Sequence, residues 1–447
     1  MLPIRWEIIC EPRQGEKKML GEYSGYTTAN DAAILNLSKI PHNSFWDTGD
    51  ERELKMHRIH AYPAKFPAFI TSKALAYARA KDVRIERVAD VFCGCGTVAF
   101  EAQRESLAFW GCDINPVATL IARAKSHYYD VAWLRRYSFK IEEELVGASR
   151  SIGLTPEARK RLRYWYPEEQ MRNLARLRNA ILKVVPENSK YRDFFLCAFS
   201  NILKPTSRWL TKSIKPQIDP CKFPAKVLPA FRKQLQSMIR AYEECTPQRE
   251  TETTISTSNL LSVMTHEIEA VDMIITSPPY VTSYEYADLH QLSSLWLGFV
   301  DDYRDLRNGS IGSTQHEFNF NREVKRLNQS GTEIVFSLFT QDASAARSVA
   351  KYYLDMQQVA QRCANILRPA GLALFVIGNT KYKGVVIDNA RHLAESLLVA
   401  GFSKVSISKR SISNKILTPY RTPGGRFTRS NSESQVYGEE FILIADR

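Results

Sequence analysis

The apolar run Val271-Asp272-Met273-Ile274-Ile275 stops at Thr276-Ser277-Pro278-Pro279-Tyr280. A run of this length reads as a buried strand. Two successive prolines cannot extend a sheet ladder, because they donate no N–H and hold φ near about −65°. The strand must therefore end on a stiff shelf that presents Ser277 and Tyr280. In open α/β sheets ligands bind at the C-terminal ends of the strands. Backbone carbonyls and a hydroxyl on such a shelf can grip an exocyclic amino group while the aromatic face stacks on its ring. A proline turn over a buried tyrosine would use the same residues without chemistry, so the rest of the chain has to decide.

A second strand-to-turn unit lies upstream. Val88-Ala89-Asp90-Val91-Phe92 reads as a strand, Cys93-Gly94-Cys95-Gly96-Thr97 as a turn, and Val98–Ser106 as a helix. Glycines at a strand-to-helix turn let the backbone approach a ligand closely. The turn has neither GxGxxG nor a GKT/GKS ending, so a dinucleotide and a P-loop nucleotide are not indicated. Phe109-Trp110-Gly111-Cys112 reads as the next strand and ends at Asp113. An acidic residue about 20 positions past a Gly-rich turn is placed to bond a ribose hydroxyl. Together these residues point to a nucleoside-type cofactor. Asn115-Pro116 opens the following helix.

The formal net charge of the 447-residue chain is +13. An acidic polymer, most simply nucleic acid, fits such a balance. Residues 131–240 hold 23 Lys and Arg against nine Asp and Glu, so this segment alone carries the excess. It reads as mainly helical, with Glu168–Val184 the clearest helix, and Tyr164, Trp165, Tyr166 and Trp209 are interleaved with the cations. Cations neutralise phosphates and aromatics stack on bases. On that basis Arg172, Arg176, Lys204, Arg208, Trp209 and Lys212 are the candidate DNA contacts, with 204–209 and 212–226 read as basic loops. A solvated basic insertion that only packs on the core is the competing interpretation. The eight cysteines form no disulfide framework. Cys93 and Cys95 have no second pair at zinc spacing, so no metal site is expected. No apolar run reaches 18 residues and no signal-peptide pattern opens the chain, which argues for a soluble, cytoplasmic protein.

The remaining pattern supplies the frame. His57–Pro67 packs two His, a Tyr, a Lys and two Pro into eleven residues ahead of a helix-like stretch, Ala68–Ala80. Thr254–Leu261 is strand-like, His290–Phe299 an amphipathic helix with Leu292, Leu295 and Trp296 on its apolar side, and 301–331 a mobile loop. Ala345–Leu367 and Asp388–Val399 read as helices, and Leu372–Ile377, Lys404–Ser408 and Phe441–Ile444 as strands. The expected fold is α/β: one mostly parallel, Rossmann-like sheet with an antiparallel C-terminal edge, plus a basic helical insertion. The expected divisions are 1–48, an extension without assigned function; 49–129, the cofactor half; 130–253, the insertion; and 254–447, the half bearing the shelf.

FCGCGT after a strand, Asp113 on the next and TSPPY on a later one resemble the amino-group DNA methyltransferases that use S-adenosylmethionine. His60-Ala61-Tyr62-Pro63-Ala64-Lys65-Phe66-Pro67 is similar to that group's first motif. Tyr284-Glu285-Tyr286 with His290 and Trp296-Leu297-Gly298 resembles the segment after SPPY, and Tyr164–Pro167 with Arg192–Phe195 a helical insert of some members. The resemblance implies a methyltransferase sheet with S-adenosylmethionine lined by Phe92, Cys93, Gly94, Cys95, Gly96 and Thr97. Asp113 would sit on the ribose, and His60, Tyr62, Lys65 and Phe66 near the methionine end. Ser277, Pro278, Pro279 and Tyr280 would hold a flipped base.

SPPY, as against DPPY, implies transfer to N4 of cytosine in double-stranded DNA, with N6 of adenine as the alternative. An inactive DNA-binding component of a defence system is a further alternative. The family context is a bacterial or archaeal, nucleoid-associated enzyme, and admits a cognate restriction endonuclease as partner. One departure stands out: the acidic residue often found near the cofactor's adenine is replaced by Ser258 or Asn259.

Overall fold

The computed structural model describes residues 6–8, 40–49, 52–63, 65–149, 151–210, 213, 216–245, 249–281, 286–313, 318–412, 420–421, 427–428, 434–435 and 439–447. The strands are β1 Trp6–Ile8, β2 Arg87–Asp90, β3 Ala108–Asp113, β4 Thr253–Thr257, β5 Val271–Thr276, β6 Leu367–Ile377, β7 Thr380–Tyr382, β8 Val385–Ile387, β9 Lys404–Ser411, β10 Tyr420–Arg421, β11 Phe427–Thr428, β12 Ser434–Gln435 and β13 Glu439–Asp446. The helices are α1 Ala68–Ala80, α2 Thr97–Arg104, α3 Pro116–Ser126, α4 Val131–Glu144, α5 Pro156–Trp165, α6 Glu168–Val184, α7 Lys190–Ile202, α8 Val227–Glu243, α9 Tyr286–Trp296, α10 Phe320–Glu323, α11 Gln329–Phe339, α12 Ala343–Ile366 and α13 Asn389–Val399.

An eight-stranded sheet runs β1-β9-β13-β6-β5-β2-β3-β4. All its pairings are parallel except the two made by β13, with β6 and with β9. The antiparallel C-terminal edge expected from the sequence is present, with β13 running antiparallel between β6 and β9. Its pairing on both sides fits its composition, since Phe441–Ala445 is apolar throughout and buried. Edge strands rarely read that way.

Alternation along the strands builds two cores, because successive side chains point to opposite faces. Val88, Met273, Ile275, Leu374 and Val376 face α1 and α2. Ala89, Ile274, Ala373, Phe375 and Ile377 face α12 and α13. A third core joins α4 to α8, which fall between α3 and β4 in the chain, to Phe100 of α2 and to Leu292, Leu295 and Trp296 of α9. The basic segment is thus a helical bundle packed on the sheet's flank. Residues 301–331, expected as a mobile loop, instead hold 3-10 turns at Tyr303–Arg307 and Val324–Arg326, all of α10 and the start of α11; 314–317 lie outside the described residues. The Asn319 and Asn328 side chains accept from Arg322 N and Gly331 N as helix caps, a signal that polar composition masked.

The chain leaves β2 toward β3 and β4, then returns past β2 to β5 and β6. Strand order reverses between β2 and β5, and a crevice opens at such a point beyond the strands' C-terminal ends. Both turns singled out in the sequence follow these two strands.

Candidate active site

The two turns are tied to one another. Thr276 Oγ1, at the end of β5, donates to Asp90 Oδ1, at the end of β2, at 2.6 Å, and Phe92 N donates to the same oxygen at 3.1 Å. The Gly-rich turn and the proline shelf therefore start from one buried carboxyl group. Burial pushes Asp90 up to about 7, against the pull of its bonds from Thr276 and Phe92. An aspartate whose folded pKa lies above its unfolded value binds its proton more tightly in the folded state. Stability then falls as pH rises from about 4 through about 7. Asp90→Asn keeps an acceptor and removes the charge. Its melting temperature at pH 8 is expected to exceed wild type by several degrees, with the gap closing toward pH 4 in paired thermal melts.

In the Gly-rich turn, Gly94 N donates to Asp113 Oδ2 at 3.0 Å and Asn115 N to Oδ1 at 2.8 Å. Burial pushes Asp113 up to about 6, against both N–H bonds. Gly94 and Gly96 have φ of +46° and +74°. A Cβ at Gly96 would lie 2.6 Å from Cα and Cβ of Ala122 in α3. The glycine lets α3 pass directly under the turn. Thr97 opens α2 with its Oγ1 buried and unpartnered among the described residues, and no side chain caps the helix. Cys93 and Cys95 are buried; the Lys125 ammonium, also buried, lies 3.7 Å from Cys95 Sγ.

The segment ahead of α1 closes over this turn. The Tyr62 ring is 3.8 Å from the Cβ position of Gly94 and stacks on His290 of α9 at 5.1 Å between centroids. His60 Nε2 bonds Ser200 Oγ at 2.9 Å, and Ser200 donates to Ser293 of α9 at 2.7 Å. Burial lowers His60 to about 4 and His290 to about 3, so both are neutral imidazoles at physiological pH. Lys65 donates to His57 O at 2.9 Å and pairs with Glu53 at 2.5 Å. Phe66 packs against the α1–α2 core. Pro67 is the residue before α1.

On the shelf, Ser277 Oγ donates its proton to Val376 O of β6 at 2.9 Å, which leaves the oxygen lone pairs to accept. Tyr352 of α12 donates to Pro279 O at 2.8 Å. The Pro278 carbonyl takes no hydrogen bond among the described residues. The Tyr280 hydroxyl donates to Glu440 Oε1 at 3.2 Å. Thr282 to Glu285 fall outside the described residues. Ser258 and Asn259 follow β4 at the same sheet edge. Asn259 is already used, donating to Gly309 O and accepting from Leu261 N; Ser258 Oγ bonds Ser256 Oγ at 2.8 Å.

The sequence-chosen DNA contacts do not converge. Trp209, expected to stack on bases, is buried and stacked on Trp165 at 4.7 Å, so it offers no open face. Lys204 donates to Ser213 O, Arg208 to the carbonyls of Arg163 and Tyr164, and Arg176 to Val146 O. These cations brace the bundle. Arg172 is solvated beside Glu168 at 3.5 Å, and Lys212 lies outside the described residues. Other aromatics of the bundle are exposed: Trp133 with Arg136 over its ring at 4.8 Å, Phe139, Tyr164, and Phe223, 96% exposed between Lys222 and Lys226. Aromatic residues beside cations were visible in the sequence, but not which of them face out.

Over 419 residues the chain is 23% identical to the Type II methyltransferase M.MvaI of Kocuria varians, a match that spans 87% of this chain and 90% of that protein. The chain is related to a methyltransferase. No protein-family profile matches it. Two solved structures of the rRNA methyltransferase aviRa from Streptomyces viridochromogenes align with 77% of this chain and 92% of theirs at 11% identity, with TM-scores of 0.26 and 0.27. The two turns joined through Asp90 lie side by side at the ends of adjacent parallel strands. Among the described residues no helix is long and apolar enough to cross a membrane.

Proposed function

We propose that the chain transfers a methyl group from S-adenosylmethionine to an exocyclic amino group of a base flipped out of double-stranded DNA, and that this group is N4 of cytosine. The observation that supports it most is the Thr276–Asp90 hydrogen bond, which holds the ends of two neighbouring parallel strands together at the reversal of strand order. The relative's description as a Type II methyltransferase fits DNA modification beside a cognate endonuclease.

The residues of the Gly-rich turn fit the cofactor. Asp113 would take the ribose hydroxyls, and the open N-terminal turn of α2 with the unpartnered Thr97 hydroxyl would meet a polar part of the molecule. His60, Tyr62, Lys65 and Phe66 would close the methionine side, and Phe92 would line the pocket. When bound, S-adenosylmethionine supplies an electrophilic sulfonium methyl.

A base inside a duplex is out of reach, so extrusion is needed at a cost of roughly a few kcal/mol. Stacking on Tyr280 offsets about 1–3 kcal/mol of that. The amino nitrogen is a weak nucleophile because its lone pair is delocalised into the ring. Ser277 Oγ, its own proton given to Val376, and the Pro278 carbonyl would accept the amino hydrogens and favour a pyramidal nitrogen. The lone pair then points at the methyl carbon, and alignment does the rest. The nitrogen would gain the methyl as the donor's carbon–sulfur bond breaks with its electron pair left on sulfur, and would lose one proton to solvent. SPPY in place of DPPY favours cytosine.

Digestion of DNA from cells expressing the chain, followed by nucleoside mass spectrometry, tests the proposal. N4-methylcytosine is expected; N6-methyladenine would move the assignment to adenine, and unmodified DNA would end it. A covalent route to C5 of cytosine would need a cysteine nucleophile. Cys221 is exposed on the bundle loop with its N–H on Asp219 Oδ1. Cys221→Ala is expected to retain methylation within about twofold of wild type in the same assay, as surface substitutions usually do.

A further inference from the structure

Glu440 is the second residue of β13, 160 residues from Tyr280 in sequence, yet it touches that aromatic residue of the shelf. Its two oxygens are divided. Oε2 accepts from Nε and Nη2 of Arg410 at 3.1 and 2.5 Å, and Oε1 accepts from the Tyr280 hydroxyl at 3.2 Å. Arg410 is 4% exposed, and its guanidinium lies 5.5 Å from the Phe69 ring centroid in α1. Desolvating two charges costs as much as their attraction returns, so a buried ion pair is a poor source of stability. It is a good source of orientation.

The geometry shows what is oriented. A tyrosine hydroxyl lies on the axis about which the ring turns, so a partner for it fixes where that axis points but not the ring plane. The plane is fixed by Gly378, where even a Cβ would come within 3.0 Å of Tyr280 Cε2.

We propose that Glu440, held by Arg410, is a positioning residue: it holds the Tyr280 hydroxyl and aims the ring for stacking on the extruded base. This rests on the proposed amino-methyltransferase reading. At 3.2 Å the bond is longer than most hydroxyl bonds, so the tether guides the ring and its loss lowers the rate without abolishing it.

The full-length protein, unmethylated plasmid DNA and S-adenosylmethionine make the test. Single-turnover methylation is compared for wild type, Tyr280→Phe, Glu440→Gln and the double variant, with cofactor affinity measured by calorimetry. Each single variant is expected to slow methylation about five- to twentyfold, around the weak end of the roughly ten- to 150-fold range of one hydrogen bond to a charged group, with cofactor affinity unchanged. The double variant is expected to be no slower than the slower single, because both changes remove one interaction. Tyr280→Phe leaves the Arg410–Glu440 pair whole, so it remains informative if Glu440→Gln folds poorly. An active wild type matched by Tyr280→Phe, or losses that multiply in the double variant, would overturn the inference alone. A wild type that methylates no DNA would remove it together with the proposed function.

Discussion

Replacing Gly96 by alanine is expected to destabilise the protein by about 2–5 kcal/mol and to abolish cofactor binding. Two separate causes add. The residue sits at φ +74°, where a side chain costs about 1–2 kcal/mol. A Cβ would also lie 2.6 Å from backbone and side-chain atoms of Ala122, and overpacking a tight core costs about 1–3 kcal/mol. Ala122 is part of α3, whose position is set by its own buried face and cannot yield without disturbing Val117 and Ile121. Urea unfolding of the variant measures the first effect and calorimetric titration with S-adenosylmethionine the second. A variant that melts and binds like wild type would mean that the turn does not run this close to α3. Gly94→Ala is the milder partner, because its Cβ meets nothing nearer than the Tyr62 ring at 3.8 Å.

Tyr280→Ala and Ser277→Ala should each cost the transfer reaction far more than they cost the fold. Loss of a stacking partner worth about 1–3 kcal/mol corresponds to roughly five- to more than a hundredfold in productive base capture. Ser277→Ala removes an acceptor from the amino group and leaves Val376 O without its hydroxyl. Both variants should bind S-adenosylmethionine as wild type does, since neither residue belongs to the Gly-rich turn. The combination of intact cofactor binding, intact unfolding curve and a lost methyl signal is the expected signature. Full activity in Tyr280→Ala would refute the stacking role.

Much of the frame was legible because it is periodic. Strands that alternate between two buried faces, helices capped at Asn115 and ended near Gly401, and a stop at Pro278-Pro279 are local signals, and the elements read from them sit within a few residues of their expected places. Pairing order is different in kind. Nothing in Phe441–Ile444 says that it lies between β6 and β9 instead of at an edge. The site divided in the same way. Glycines and prolines advertise turns, so the two turns could be found. Asp90 and Thr276 look like ordinary ends of strands, although a carboxyl in the apolar run Val88–Phe92 was a clue. Glu440 and Arg410 become visible only when the sheet brings β9 and β13 beside the shelf. Trp209 failed for the opposite reason: cations and aromatics mark both a nucleic-acid surface and a bundle braced by cations on carbonyls, and burial alone separates them.

The stacked indoles of Trp165 and Trp209 have one more consequence. Trp165 Nε1 donates to Gln291 Oε1 at 3.0 Å, and Gln291 belongs to α9, the helix that follows the proline shelf. Two chromophores at 4.7 Å couple in the near ultraviolet, and their coupling depends on a few degrees of tilt. The molecule therefore carries its own optical gauge: any shift of α9 as a base enters would be transmitted to the pair and read as a change in ellipticity, with no label attached.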